Sequence, residues 1–174
     1  MPLYLVRHAD AVSEQESQAR PLSDRGRHQV RALAAFFRGN GQFTPAYIWH
    51  SPLSRARETA ELLLIGLASE TALVETPGLL PEDDPQEIAN RLNAITSAVN
   101  VAIVGHEPHL SALATSLIRG KPAAAVLDFK KGAVLALERA GNAHKKTGQP
   151  LWRARWHITP ELLVAKPTPA VPDL

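Results

Sequence analysis

Arginine and histidine residues follow the predicted strands of this 174-residue chain at three places. Arg7 and His8 come directly after the apolar run LYLV, Arg55 lies one helical turn beyond AYIWH, and His106 follows NVAIVG. Because ligands of an open α/β sheet bind beyond the carboxyl ends of its strands, we expect these side chains to lie together. Arginine presents a planar fork that matches phosphate oxygens, and a histidine among such groups can act as a nucleophile or as an acid and base. The pattern therefore predicts a site for a phosphoryl group.

Two predicted helices favour an anion at the same place. One helix is expected to begin with Ser51 as its N-cap and Pro52 in its first turn, and another to begin near Pro108. The free N–H groups and the dipole of a helix N-terminus attract an anion. Positive surroundings also disfavour the imidazolium ion, so we expect His8 to be neutral and nucleophilic near pH 7.

Other acidic and histidine residues have simpler explanations. Glu82, Asp83 and Asp84 follow the third predicted strand, and the simplest interpretation of this run is a solvated loop. His106 and His109 form an H-x-x-H pair that could in principle ligate a metal, but no carboxylate motif accompanies the pair. We therefore predict no metal and no cofactor.

Short apolar runs alternate with helical patterns along most of the chain. Strands are predicted at residues 3–6, 46–50, 72–76 and 100–105, and helices at 23–41, 51–67, 85–96 and 108–120. Ser23 is the expected N-cap of the first helix. This alternation predicts a three-layer α/β/α sandwich with a mostly parallel central sheet.

The pattern changes near the C-terminus. Residues 132–139 and 151–158 are predicted to add antiparallel strands at the edge of the sheet. The second run alternates Trp152 and Trp156 with charged residues, which indicates an edge strand with one solvent-exposed face. Residues 1–164 are predicted to form a single domain, followed by a proline-rich tail at 165–174.

Composition narrows the functional class. The chain is 45% hydrophobic and 21% charged, and it contains no cysteine, which excludes disulfides and a thiolate nucleophile. No run approaches the ~18 apolar residues of a membrane-spanning helix, and no leader of signal-peptide type is visible, so we expect a cytoplasmic protein with no membrane partner. No arginine-rich stripe with interleaved aromatic residues is present, so we predict no nucleic-acid partner.

Three segments together resemble the histidine phosphatase superfamily, also called the phosphoglycerate-mutase-like group. LVRHADA resembles its R-H-G signature, with Ala9 where glycine is commoner; SPLSRARETAELL resembles its second motif, and VAIVGHEPHL its third. The segments occur in the superfamily's order and span roughly residues 3–160 of the chain. The resemblance implies the phosphoglycerate-mutase-like fold.

The resemblance also implies a mechanism. His8 would attack phosphorus and become a phosphohistidine, which water would then hydrolyse. Arg7, Arg55 and His106 would bind the equatorial phosphoryl oxygens, and no metal would be needed because the arginines neutralise the charge. An acid after the third strand could protonate an ester leaving group, with Glu82 as the first candidate among Glu82, Asp83 and Asp84. Asp10, close to the nucleophile, is another candidate.

The short chain and the segment RPLS look most like the SixA branch, the phosphohistidine phosphatases. Arg20 of this segment is then a candidate contact to the phosphoryl group or to the incoming protein. The predicted substrate is phosphohistidine in a protein, and the enzyme is expected to be a monomer. A phosphatase for a small phosphomonoester or for phosphoserine or phosphothreonine is the alternative, and a phosphate-binding module without catalysis is an alternative of another class.

Overall fold

A computed structural model describes residues 2–68 and 70–163, so the predicted tail at 165–174 lies outside the described residues. The strands are β1 (Pro2–Arg7), β2 (Tyr47–His50), β3 (Ala72–Glu75), β4 (Val101–Gly105), β5 (Val134–Ala143) and β6 (Pro150–Ile158). The helices are α1 (Asp24–Asn40), α2 (Ser54–Leu67), α3 (Pro85–Ala94) and α4 (His109–Arg119), followed by a short 3-10 helix at Pro160–Leu162. Among these residues, no helix is both long enough and apolar enough to cross a membrane.

The six strands form one sheet in the order β3-β2-β4-β1-β5-β6. Strands β1 to β4 pair in parallel, whereas β5 and β6 are antiparallel additions beside β1. The prediction of a mostly parallel sheet with antiparallel strands at one edge is confirmed. Because β1 and β4 are neighbours at the centre, their carboxyl ends lie side by side.

Helices cover both faces of the sheet, as predicted. Leu3 and Leu5 of β1 pack on one face in a core shared with α3 and α4, whereas Tyr4 and Val6 pack on the other face with α1 and α2. The alternation follows from the two-residue period of a strand. Since both faces of β1 are buried, its sequence is a continuous apolar run.

The two helices nearest the predicted site begin differently. The hydroxyl of Ser23 accepts the N–H of Gly26 at 3.1 Å, so the predicted N-cap of α1 is confirmed. The predicted N-cap of α2 is wrong, because that helix begins at Ser54 after an uncapped Leu53. Ser51 is fully buried, and its hydroxyl forms a hydrogen bond with the ring of His106, the residue after β4.

Strand β6 is the edge strand that the sequence predicted, but its two tryptophans belong to different cores. Trp152 packs with the core under α3 and α4, and Trp156 packs with the core under α1 and α2. The pairing register skips Arg155 between Ala136 and Leu137 of β5. This bulge inserts one residue, so the faces exchange along the strand.

Candidate active site

His8 is buried immediately after the last residue of β1. Its backbone N–H donates to the carbonyl of Gly105 at 3.0 Å, which joins it to the end of β4. Its ring Nδ1 lies 2.7 Å from the carbonyl oxygen of Ala9. Because a carbonyl can only accept, Nδ1 carries the proton of the neutral ring, and the lone pair is on Nε2.

The environment of His8 lowers its pKa to about 4. Burial is the largest cause; the bond to the Ala9 carbonyl opposes the shift, and the positive charges of Arg55, Arg7 and Lys131 reinforce it. The sequence predicted a neutral His8 from positive charge alone, whereas burial contributes more. The ring is therefore neutral at pH 7.

Arg7 is the last residue of β1, directly before His8. Its guanidinium donates from one terminal nitrogen to the carbonyl oxygen of Phe129 at 2.6 Å. Its Nε atom is buried and has no hydrogen-bond partner in the described structure. The contact with Phe129 fixes the plane of the guanidinium, and the unpartnered Nε is a donor available to an oxyanion.

Arg55 lies half-buried in the first turn of α2. Burial is the largest cause that lowers its pKa, and the nearby charge of Arg20 adds to the shift. Thr59, one turn further, donates from its hydroxyl to the Arg55 carbonyl at 2.7 Å and accepts the N–H of Ala9 at 3.1 Å. Thr59 therefore joins α2 to the segment after His8, a role that the sequence did not reveal.

His106 follows β4, and its ring centroid lies 5.0 Å from that of His8. Nε2 lies 2.9 Å from the hydroxyl of Ser51, and Nδ1 is buried without a partner among the described residues. Burial is the largest cause that lowers the His106 pKa to about 3, and the neighbouring groups His8, Arg55, His109 and Arg7 add to the shift. Both histidines are therefore neutral near pH 7.

Arg20 lies in the loop before α1. Its φ of 47° is in the left-handed region, a conformation that costs a side-chain-bearing residue about 1 kcal/mol. Its Nε donates to the carbonyl of Val12 at 3.3 Å, and its charge acts on Arg55. The loop geometry therefore brings a further cation near Arg55, and a contact of Arg20 with the phosphoryl group stays a prediction.

The three acidic residues after β3 differ in their hydrogen bonds. Asp84 caps α3 by accepting the N–H of Gln86 at 2.9 Å, and Asp83 accepts the N–H of Leu80 at 2.8 Å. Glu82 is exposed and makes no hydrogen bond or ion pair with any described residue. Two of the three acids therefore hold the loop, and Glu82 is the one with a free carboxylate.

Asp10 is bound on both carboxylate oxygens. Its Oδ2 accepts the hydroxyl of Ser23 at 2.7 Å, and its Oδ1 lies 2.6 Å from Nζ of Lys131. Partial burial opposes ionisation of Asp10, but the bonds to Lys131 and Ser23 outweigh burial and lower its pKa. Asp10 is therefore a poor proton donor.

The sequence interpretation missed the loop that precedes β5. Phe129 accepts from Arg7 through its carbonyl, and its N–H donates to the carboxylate of Glu107 at 3.0 Å. The N–H of Gly132 is shared between the carbonyls of Arg7 and His8, at 3.2 and 3.1 Å. The only local signal was the Lys-Lys-Gly run directly before a strand.

The H-x-x-H pair does not assemble a metal site in the described structure. His106 contacts Ser51, and His109 is buried within α4. Within residues 2–68 and 70–163, no group of three or more histidine, cysteine, aspartate or glutamate side chains could hold a metal ion. His50, at the end of β2, is buried with its Nδ1 2.9 Å from the Ser51 carbonyl.

The assembled side chains have a definite chemical capacity. A neutral imidazole with its lone pair on Nε2 can attack an electrophilic centre. Two guanidinium groups and a second neutral imidazole can bind the oxygens of a tetrahedral anion. The four residues predicted from the strand ends are therefore brought to one edge of the sheet.

One family model matches part of the chain. The model of the histidine phosphatase superfamily (branch 1) matches residues 3–80, which include the first two predicted motifs. The predicted resemblance to the histidine phosphatase superfamily is confirmed. No curated protein matches the sequence.

Solved structures of three phosphatases share the fold. The protein histidine phosphatase SixA in complex with tungstate has a TM-score of 0.78 at 24% identity, over 94% of this chain and 100% of SixA. The α-ribazole phosphatase from Shigella flexneri has a TM-score of 0.68 at 18% identity, over 88% of this chain and 95% of its own. A mycobacterial glucosyl-3-phosphoglycerate phosphatase has a TM-score of 0.64 at 18% identity, over 88% and 96%.

Proposed function

We propose that this protein is a phosphatase that forms a covalent phosphohistidine on His8 and that its substrate is phosphohistidine in another protein. The observation that carries the proposal is the state of the His8 ring. It is buried and neutral, its Nδ1 is committed to the Ala9 carbonyl, and it lies within the field of Arg7 and Arg55. Nε2 is thus the nucleophile.

The reaction has two displacements at phosphorus. In the first, the Nε2 lone pair forms a bond to phosphorus while the bond to the leaving group breaks. The leaving group keeps the electron pair, and the leaving imidazole of phosphohistidine takes up a proton from solvent. In the second, a water oxygen attacks phosphorus, the Nε2–phosphorus electrons return to the ring, and the water proton passes to solvent. Inorganic phosphate and neutral His8 are regenerated.

Three residues stabilise the phosphoryl oxygens in both steps. Arg7 offers its buried Nε, and Arg55 offers a guanidinium that makes no hydrogen bond to a described residue. Nε2 of His106 is bonded to the Ser51 hydroxyl, and its buried Nδ1 has no partner among the described residues, so in the Nδ1–H tautomer this nitrogen is a further donor. Arg20 contributes positive charge at the side of Arg55.

The leaving group distinguishes the two candidate substrates. Imidazole leaves from phosphohistidine without a strong acid, whereas an alkoxide needs a proton donor. Because Asp83 and Asp84 are used in the loop and Asp10 is ionised, only exposed Glu82 remains of the proposed acids. This shortage of acids supports the phosphohistidine substrate.

The likeness to SixA, a protein histidine phosphatase, supports the same substrate, because the two folds match over 94% of this chain and 100% of SixA. A small-molecule phosphomonoesterase is the second candidate, and free Glu82 together with the α-ribazole phosphatase likeness favours it. Metal independence, a monomeric state, a cytoplasmic location and a single domain over residues 1–164 stay predictions.

The test compares a phosphohistidine-bearing phosphotransfer domain with p-nitrophenyl phosphate, each with and without EDTA. We expect release of phosphate mainly from the phosphohistidine, unaffected by EDTA, and complete loss in His8→Asn. His50→Asn is the matched control, because His50 is also buried at a strand end with its Nδ1 on the next carbonyl. Faster hydrolysis of the ester would favour the second candidate, and tight phosphate binding without turnover would indicate a binding module.

A further inference from the structure

The loop of residues 129–132, which we call the β5 entry loop, is fastened to the nucleophile strand. The carbonyl of Phe129 holds the Arg7 guanidinium, and the N–H of Gly132 contacts the carbonyls of Arg7 and His8. Gly132 has a φ of 75°, which a glycine adopts without strain. The backbone of Lys131, between these two contacts, is therefore held beside His8.

The Lys131 side chain is directed by a fixed acid. Nζ lies 2.6 Å from Oδ1 of Asp10, with side-chain exposures of 43% for Lys131 and 22% for Asp10. Asp10 itself is held by Ser23, whose hydroxyl donates to Oδ2 and whose N–H donates to the Asp10 carbonyl at 3.0 Å. Gln29 accepts the N–H of Asp10 at 3.0 Å. The anchored carboxylate thus sets the position of the ammonium group.

Lys131 has binding capacity that this ion pair leaves unused. An ammonium group has three donors, and Oδ1 of Asp10 engages one of them. The charge of Lys131 acts on the buried ring of His8. The ion pair links the β5 entry loop to the segment after His8, and the charge of Lys131 also reaches the nucleophile.

We propose that Lys131 is a further phosphoryl-binding residue and that Asp10 positions it. The ammonium group, on its flexible stem beside His8, donates to a terminal oxygen of the phosphoryl group that His8 attacks, while Asp10 keeps the side chain at the site when no substrate is bound. This inference rests on the proposed function, because it places one more cation around the same phosphoryl group.

The test measures binding of inorganic phosphate by calorimetry in the wild-type protein and three variants. Lys131→Met should weaken binding by about tenfold or more, the effect of losing a charged hydrogen bond. Lys130→Met is the matched control, because Lys130 is the exposed neighbour with the same charge, and it should change binding by less than about twofold. Asp10→Asn, which can still accept from Ser23 but no longer holds the ammonium group by charge, should weaken binding by less than Lys131→Met, because it loosens the ammonium group without removing it.

The outcomes separate the two proposals. If Lys131→Met and Lys130→Met bound phosphate equally well and both kept phosphatase activity, the proposed role of Lys131 would be wrong and the proposed function would stand. Binding by Asp10→Asn that is as tight as in the wild type would overturn the positioning role of Asp10. A wild-type protein that neither binds phosphate nor releases it from either substrate would overturn the proposed function as well. Thermal unfolding of each variant checks that a loss of binding does not arise from a loss of folding.

Discussion

The acidic loop after β3 and the β5 entry loop lie at the same end of the sheet, but they differ in the range of their hydrogen bonds. The acidic loop bonds to its own backbone, and the β5 entry loop bonds to a distant strand. Asp83 and Asp84 contact backbone N–H groups within three residues of themselves. The β5 entry loop instead contacts Arg7 and His8, more than a hundred residues away in sequence. A charged run after a strand is therefore weak evidence for a site, and the bonds it makes decide its role.

The largest expected effect tests the contact between the β5 entry loop and the site. Arg7→Lys keeps the positive charge but removes the planar fork that the Phe129 carbonyl orients, so kcat/KM for the phosphohistidine protein should fall by about a hundredfold or more. The measurement is steady-state kinetics. Arg57→Lys is the control, because Arg57 is an exposed arginine on α2. A loss of less than threefold in Arg7→Lys would contradict the importance of this contact.

The next effect concerns pH. His8 titrates near pH 4 in the folded protein but near 6.5 when unfolded, so the unfolded state takes up the proton first as the pH falls. The free energy of unfolding should therefore decrease between pH 6.5 and about 4, by about 1.4 kcal/mol per pH unit from this residue. Urea unfolding at several pH values should give a shallower decrease in His8→Asn than in the wild type. Parallel curves would show that His8 is not buried as a neutral ring.

The smallest expected effect is a difference in stability between variants of two acidic residues in the loop after β3. Asp84→Ala removes the cap of α3 and should lower the free energy of unfolding by about 1 kcal/mol. Glu82→Ala is the matched control, since Glu82 is exposed and makes no bond to a described residue, and it should change stability by less than about 0.5 kcal/mol. Urea unfolding at pH 7 measures both. If the two variants were equally stable, the division of roles within this loop would be wrong.

The sequence by itself determined the features that depend on neighbouring residues. The apolar runs of β1 and β4 and the periodicity of the helices predicted the layers of the fold. The side chains that follow β1, β2 and β4 predicted the meeting of Arg7, His8, Arg55 and His106. The N-cap of α1 was predictable as well, because Ser23 bonds to a residue three positions away.

Only the tertiary structure decided which distant groups meet. The sequence assigned Ser51 to a helix cap, but its hydroxyl contacts His106, 55 residues later. Lys131 and Asp10 are 121 residues apart, and their pairing depends on where the antiparallel β5 lies beside β1. The bulge at Arg155 places Trp152 and Trp156 in different cores although their spacing suggested one face. Local periodicity follows from backbone geometry, whereas such contacts follow from strand register, which no short segment specifies.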